Sequence, residues 1–199
     1  MRRTKEQAAE TRRQILRSAE EEFLARGYEN AKLEDIAAAA GVTRGAVHWH
    51  FKSKQGLLFA LRDESKQVFI ELAEHLAKED AGQPLDALGD LICGEFAKWS
   101  ADPRHRGMMR VMFYLDLTTI CTKEHDPFRE ALLGAIGKVL ELAEQRHGLP
   151  HPWTVQSATS VMYGLIEGLL MGWCREDVTF DLAQHGAAVI RALLASWKR

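Results

Sequence analysis

Residues 43–54, TRGAVHWHFKSK, concentrate side chains that carry charge, donate hydrogen bonds or ligate metal. Two chemistries use such a set. A metal site would draw on His48 and His50, or on Cys121 and His125 further along. Two histidines two apart on a helix point in different directions, and the Cys-x3-His pair lacks the further spaced ligands of a closed site. The chain carries no phosphate-binding loop, nucleotide fingerprint or nucleophile elbow. An enzyme, metal-dependent or otherwise, is therefore the weaker reading, and no cofactor is implied. Recognition of double-stranded DNA suits the residues better. Arg44 has the fork geometry for a guanine edge, and Thr43 can meet a base methyl or a phosphate. Gly45 and Ala46 are small enough to let a helix sit deep in a groove.

The elements that must position these residues are two short helices and a turn. Leu33, Ile36, Ala37 and Ala40 recur at helical spacing and give the first helix one apolar face. Gly41 suits the left-handed position that ends a helix without a Cβ clash. Val42 returns to the core, and Thr43 can cap a second helix beginning at Arg44. From that helix only Val47 and Phe51 need face inward, which leaves Arg44, Gly45, His48, Trp49 and His50 mostly outside. This is the pattern of a helix-turn-helix whose second helix enters the major groove. A preceding helix from Lys5 to Arg26, apolar at Ile15, Leu16, Ala19 and Phe23 and stopped by Gly27, supplies the third wall of a small core. Arg2, Arg3 and Lys5 form a basic tail that is either a solvated terminus or an arm on the DNA backbone or minor groove.

The segment GVTRGAVHWHFKSKQGLL resembles the signature of the TetR family of bacterial transcriptional repressors, in particular its AcrR-like branch, which controls efflux pumps. The likeness is tight from about Thr11 to Leu58; beyond that only length and helix layout are similar. The resemblance assigns His48, Trp49, His50 and Lys54 mainly to backbone contacts with DNA. One position departs from it: family members usually carry Tyr where this chain has His48.

Composition agrees with an ordered all-α protein. The chain has 199 residues, 46% of them hydrophobic, and 5 prolines. Its net charge of −2 argues against a general polyanion binder. Residues 1–54, however, hold 11 Lys and Arg against 8 Asp and Glu, a local excess of +3 beside the proposed reading helix. Cys93, Cys121 and Cys174 are odd in number and widely spaced, which suits a reducing cytoplasm. No apolar run reaches membrane-spanning length, and no signal peptide is evident; a cytoplasmic protein with no membrane partner is expected.

Beyond the motif, Ser53 is a candidate N-cap for a long helix to about Lys78, apolar at Leu57, Leu61, Val68, Leu72 and Leu76. Ala81-Gly82-Gln83-Pro84 reads as a linker. The expected division is a DNA-binding domain over residues 1–54 and a second all-α domain over residues 55–199, the long helix connecting them. Helices are expected from Pro84 to Ser100, Pro103 to Thr118, Asp126 to His147, Pro152 to Arg175 and Phe180 to Trp197.

Two faces of the second domain stand out. Ser160, Gly164, Gly168 and Gly172 form a small-residue ridge, and each interior Gly costs roughly 1 kcal/mol against Ala. The ridge either packs inside one subunit or, with Val189, Leu193 and Trp197 of the last helix, joins two subunits. A four-helix homodimer interface of this kind is what the resemblance implies. The other face gathers Phe96, Trp99, Met108, Met109, Met112 and Phe113, with Cys93 near in sequence. Such residues build either ordinary core or an adaptable apolar pocket. The resemblance implies a small hydrophobic inducer there, bounded also by Ile136, Met162 and Glu167. Glu167 interrupts the apolar run GLIEGLL, and Asp116 in FYLDLTT poses the same question. Each is hydrogen-bonded, partly wet, or a counter-charge for a cationic ligand. The expected function is thus a TetR-like repressor released from a palindromic operator by an inducer, with control of a multidrug efflux pump or of a catabolic metabolite's genes as the two readings of its target.

Overall fold

The computed structural model describes residues 5–77, 82–119, 127–175 and 180–198. Every regular element among them is helical, as the all-α reading expects. In chain order these are α1 (Lys5–Asn30), α2 (Leu33–Ala39), α3 (Arg44–Phe51), α4 (Lys54–Leu76), α5 (Pro84–Ala101), α6 (Pro103–Thr119), α7 (Pro127–His147), α8 (Val155–Cys174) and α9 (Ala187–Ser196). A single π-helical turn, Leu182–Gly186, leads into α9. None of the described helices is long and apolar enough to cross a membrane. The chain divides into two compact units, Met1–Ser65 with Val111–Thr119, and Lys66–Arg110 with Ile120–Arg199.

The first unit is built around α1, α2 and α3. Ile15, Leu16, Ala19 and Phe23 line the buried stripe of α1, each at most 3% exposed. Gly27, at φ 74°, breaks α1 one turn before its end, because this backbone conformation strains any residue with a Cβ. Ile36 and Ala37 of α2 and Val47 and Phe51 of α3 close the core. Gly41 turns the chain at φ 64°, the left-handed position its sequence context requires.

In the second unit α5 packs on α7, on α9 and on the π-helical turn, and α7 packs on α8. Leu88, Ile92 and Phe96 of α5, Ile136, Val139 and Leu140 of α7 and Ala158 and Met162 of α8 are all buried. α5 and α9 approach closely at Gly89, where a Cβ would lie 2.9 Å from the end of the Leu194 side chain, which would have to shift.

Two sequence expectations are corrected. Leu57 and Leu76 of the expected α4 stripe are buried, but Leu72 is half-buried and the inward positions between them include Phe69 and Ala73. Leu61 is half-buried as well, and the Val68 side chain lies outside the described residues. Trp197 is 1% exposed and packs edge-to-face on Trp153 with ring centroids 5.3 Å apart. It belongs to the protomer's own core, not to an exposed face.

Candidate functional site

The candidate site is the outer surface of α3, and local chemistry builds it. Thr43 is extended, at φ −80° and ψ 153°, and its Oγ1 accepts from the Ala46 N–H at 3.2 Å. This cap starts the helix where the sequence places it. At the other end the Lys52 N–H donates to the His48 carbonyl at 2.9 Å, with Lys52 itself at φ 65°. A non-glycine residue at positive φ costs energy, so the chain turns sharply here at some expense. Ser53 Oγ then accepts from the Gly56 N–H at 3.0 Å and caps α4. A Cβ on Gly56 would stand 2.0 Å from the Phe51 carbonyl oxygen, so α4 starts in direct backbone contact with the end of α3.

This framework leaves the polar face of α3 in solvent. Thr43, Arg44, Gly45 and His48 are exposed, Ala46 and His50 are half-buried, and Trp49 is 66% exposed. The His50 ring stands edge-on to Trp49 at 4.5 Å and tilts against Phe51 at 5.9 Å, which steadies the exposed indole. Phe51 in turn lies under the Arg12 guanidinium of α1, 5.4 Å from the ring centroid. Arg44 sits at the first position of its helix, where a cation opposes the helix dipole. Its Nη1 is 2.9 Å from Oε1 of Glu34 on α2, with both side chains more than half exposed. Such a surface pair is weak and easily exchanged for a stronger anion. Glu34 is a contributor that sequence reading missed, since a pairing between two helices has no fixed sequence spacing.

Lys54, at the start of α4, has partners within the first unit. Its Nζ donates to the carbonyl oxygens of Tyr28 at 2.7 Å, Glu29 at 3.1 Å and Ala31 at 3.1 Å. It also lies over the Tyr28 ring, 4.5 Å from the centroid. Burial holds the Tyr28 phenol above its ordinary pKa, with the Glu29 charge adding to the effect. Arg2 and Arg3 lie outside the described residues.

In the second unit the ridge on α8 faces outward. Ser160, Gly164 and Gly168 are exposed, Gly172 is half-buried, and nothing lies within 4 Å of a Cβ built on any of the three glycines. Val161 and Met171 flank them at 40% exposure each. The opposite side of α8 carries Ala158, Met162, Ile166 and Leu170 into the core. On α9 Val189 is 43% exposed and Leu193 half-buried, whereas Leu182, Gly186 and Ile190 turn inward.

The expected apolar cluster is distributed. Phe96 and Met108 are buried, with the Phe96 and Trp99 rings 6.2 Å apart. Ile136 and Met162 are fully buried, and Cys93, Trp99 and Met109 half-buried. Met112 and Phe113 are half-buried in the first unit, while the others belong to the second. Asp116 and Cys121 lie outside the residues whose side chains are described. Glu167 is half-buried and its Oε1 accepts from the Tyr163 hydroxyl one turn earlier at 3.4 Å. A second acid that the sequence did not single out, Glu95, is 8% exposed and pairs with Lys98 Nζ at 2.6 Å. No group of three or more His, Cys, Asp or Glu among the described residues could hold a metal ion.

Known proteins resemble both the motif and the whole chain. Residues 15–61 match the model of the bacterial regulatory proteins of the tetR family. The HTH-type transcriptional repressor BepR of Brucella suis is 30% identical over 98% of this chain and 96% of its own. SmeT, the repressor of the Stenotrophomonas maltophilia multidrug efflux pump SmeDEF, has a similar structure. Its TM-score is 0.77 at 26% identity, covering 94% of this chain and 90% of SmeT. A SmeT–triclosan complex aligns with a TM-score of 0.75 at 26% identity, over 95% of this chain and 92% of that one.

Proposed function

This chain belongs to the TetR family of bacterial regulatory proteins, and from that premise we propose that it is a cytoplasmic homodimeric repressor of a multidrug efflux pump, released from a palindromic operator by a small hydrophobic inducer. Membership makes it a DNA-binding transcriptional regulator and not an enzyme. Its relatives support that target: SmeT represses an efflux pump and has been captured with triclosan, an apolar phenol. Residues 1–54 do the reading in this proposal, and residues 55–199 bind the inducer and hold the dimer together.

The observation that carries the DNA-reading role is the sorting of α3, which gives its core Val47 and Phe51 and keeps Arg44, His48 and Trp49 in solvent. An isolated helix gains nothing from exposing an indole and seating a cation at its N-terminus; a helix that docks on phosphates and base edges uses both. Arg44 exchanges Glu34 for a base edge on docking. The dimer role is supported by the α8 ridge, whose glycine cost is not offset by any close neighbour within the protomer.

The test is footprinting and binding on DNA from around the chain's own gene, with and without triclosan. Protection of a two-fold symmetric site is expected. Arg44→Ala should relax base preference at one position per half-site, at about 1–3 kcal/mol. Equal losses on cognate and scrambled DNA would remove Arg44 from base reading. Triclosan should weaken operator binding about 5–150-fold if it favours the non-binding arrangement. An affinity untouched by triclosan and by a panel of hydrophobic amines would overturn the inducer part.

A further inference from the structure

We propose that Arg146 and Arg106 are positioning residues of the inducer response, each anchoring in the second unit one of the two helices that also have residues in the first. Those helices are α4 and α6. Residues 54–65 of α4 and Val111–Thr119 of α6 belong to the first unit, and the rest of each helix belongs to the second. The backbone therefore passes from one unit to the other inside two helices. A helix is stiff along its axis, because bending it sharply breaks its hydrogen-bond ladder. What holds the second-unit end of each helix decides how much of a change in that unit the helix carries onward.

Arg146 stands in the last turn of α7. Its Nη1 donates to the Gly82 carbonyl at 2.7 Å and its Nη2 to the Leu76 carbonyl at 3.2 Å. Leu76 is the last residue of α4, where a helix leaves carbonyls without partners, and Gly82 lies two residues before α5. The next residue, His147, places Nε2 2.6 Å from Oε1 of Gln83, the N-cap of α5. One turn of α7 thus grips the end of α4 and the approach to α5. A cation in the last turn also suits the helix dipole, but the dipole asks only for charge and not for these two carbonyls. Phe69, Ala73 and Leu76 of α4 are buried beside this anchor. Arg106 acts likewise on α6. It lies in the first turn, where the dipole disfavours a cation. Its Nη2 donates at 2.6 Å to the carbonyl of Arg175, the residue that caps the end of α8. Its guanidinium lies over the Trp173 ring, 5.9 Å from the centroid. α4 is thereby fastened to α7 and α6 to α8, and α7 packs on α8. A ligand that shifts α7 against α8 would move the two anchored ends against each other.

This inference rests on the inducer-released repressor proposed above, and the experiment keeps the two apart. Operator affinity is measured for wild type, Arg146→Met and Arg106→Met, with and without saturating triclosan. Triclosan affinity is taken from calorimetry, and stability from thermal melts. The anchors predict that the factor by which triclosan weakens operator binding falls by about threefold or more. The separate affinities for operator and for triclosan should each change by less than that. A merely structural arginine lowers the melting temperature and leaves the factor intact; an intact factor in either variant overturns the anchor at that position. A larger loss of one separate affinity than of the factor also overturns it, by placing the arginine in a binding site. Should a methionine variant fail to fold, Arg146→Lys or Arg106→Lys keeps the charge and loses the planar fork. A reduced factor then supports the anchor, and an intact one overturns it. If wild type does not respond to triclosan, the inducer reading fails. The anchor on α4 is then judged by amide exchange at Ala77, whose N–H donates to the Ala73 carbonyl at 3.1 Å. Faster exchange there in Arg146→Met, with exchange in α9 unchanged, supports the anchor; equal exchange at Ala77 overturns it.

Discussion

The outer faces of α3 and α8 are both open in the protomer, yet they are built from opposite materials. α3 exposes Arg44, His48 and Trp49, side chains with charge or a polar edge. α8 exposes Ser160, Gly164, Gly168, Val161 and Met171, which offer little to water and almost nothing to a charged partner. The starts of the two helices differ in the same direction. α3 has a single Thr43 cap, while Thr154 and Ser157 form a reciprocal capping box on α8, each side chain accepting from the other's backbone N–H. A short helix that meets a hydrated, charged groove needs reach and donors. A long helix that meets another helix needs a smooth surface and a firm start. Exposure alone does not distinguish these uses; the chemistry of what is exposed does.

Gly168→Leu should produce the largest effect. The position is open within the protomer, so the fold and its melting temperature should survive. A closely packed second copy would be forced away at about 1–3 kcal/mol or more. Sedimentation should show monomers, and operator affinity should fall by about a hundredfold or more, because two half-sites no longer bind as one unit. An unchanged dimer would move the interface elsewhere and leave the glycines unexplained.

The two caps sharpen the comparison at a smaller scale. Thr43→Ala should cost about 1 kcal/mol of stability, and with α3 as the proposed reading element it should also weaken operator binding. Thr154→Ala should lower stability by a similar amount and leave the affinity of the remaining dimer unchanged. Thermal melts paired with mobility shifts on both variants would reveal any departure.

The smallest effect concerns pH in the second unit. Burial pushes the Cys174 thiol up to about 11, against the opposing pull of Arg106 and Arg110. A raised thiol pKa means the folded state holds its proton longer than the unfolded chain. The associated stability is therefore complete below about pH 9 and declines as pH rises from there through 11. Cys174→Ala should flatten that part of the stability profile. In the native wild type the thiol should resist alkylation at pH 8 and react on unfolding. Fast native labelling of Cys174 would contradict its burial.

Much of the site was legible because it is local. Gly41, the Thr43 cap, the inward Val47 and Phe51 and the Ser53 cap each depend on residues within about four positions, and all appear as read. Gly56 carried a signal that went unread: a glycine in the first turn of a helix is costly unless something approaches closely. The ion pair of Arg44 with Glu34 and the three carbonyls around Lys54 had no such signal. They join residues 10 to 26 positions apart, and sequence periodicity carries no information on which carbonyls a lysine will meet.

The sequence by itself determined the helices, their caps and the composition of each face, since propensity, periodicity and capping act over one or two turns. Tertiary structure decided direction. Val189 sits on the last helix and Trp197 at its C-terminal cap, yet Trp197 packs inward against Trp153 while Val189 stays in solvent. Lys54 and Arg44 are both cations of the motif, yet the end of α1 occupies one ammonium while the other side chain keeps only a weak surface partner. An apolar or charged side chain is indifferent to which partner satisfies it until the chain has folded; the neighbours that arrive first in space, rather than in sequence, settle the matter.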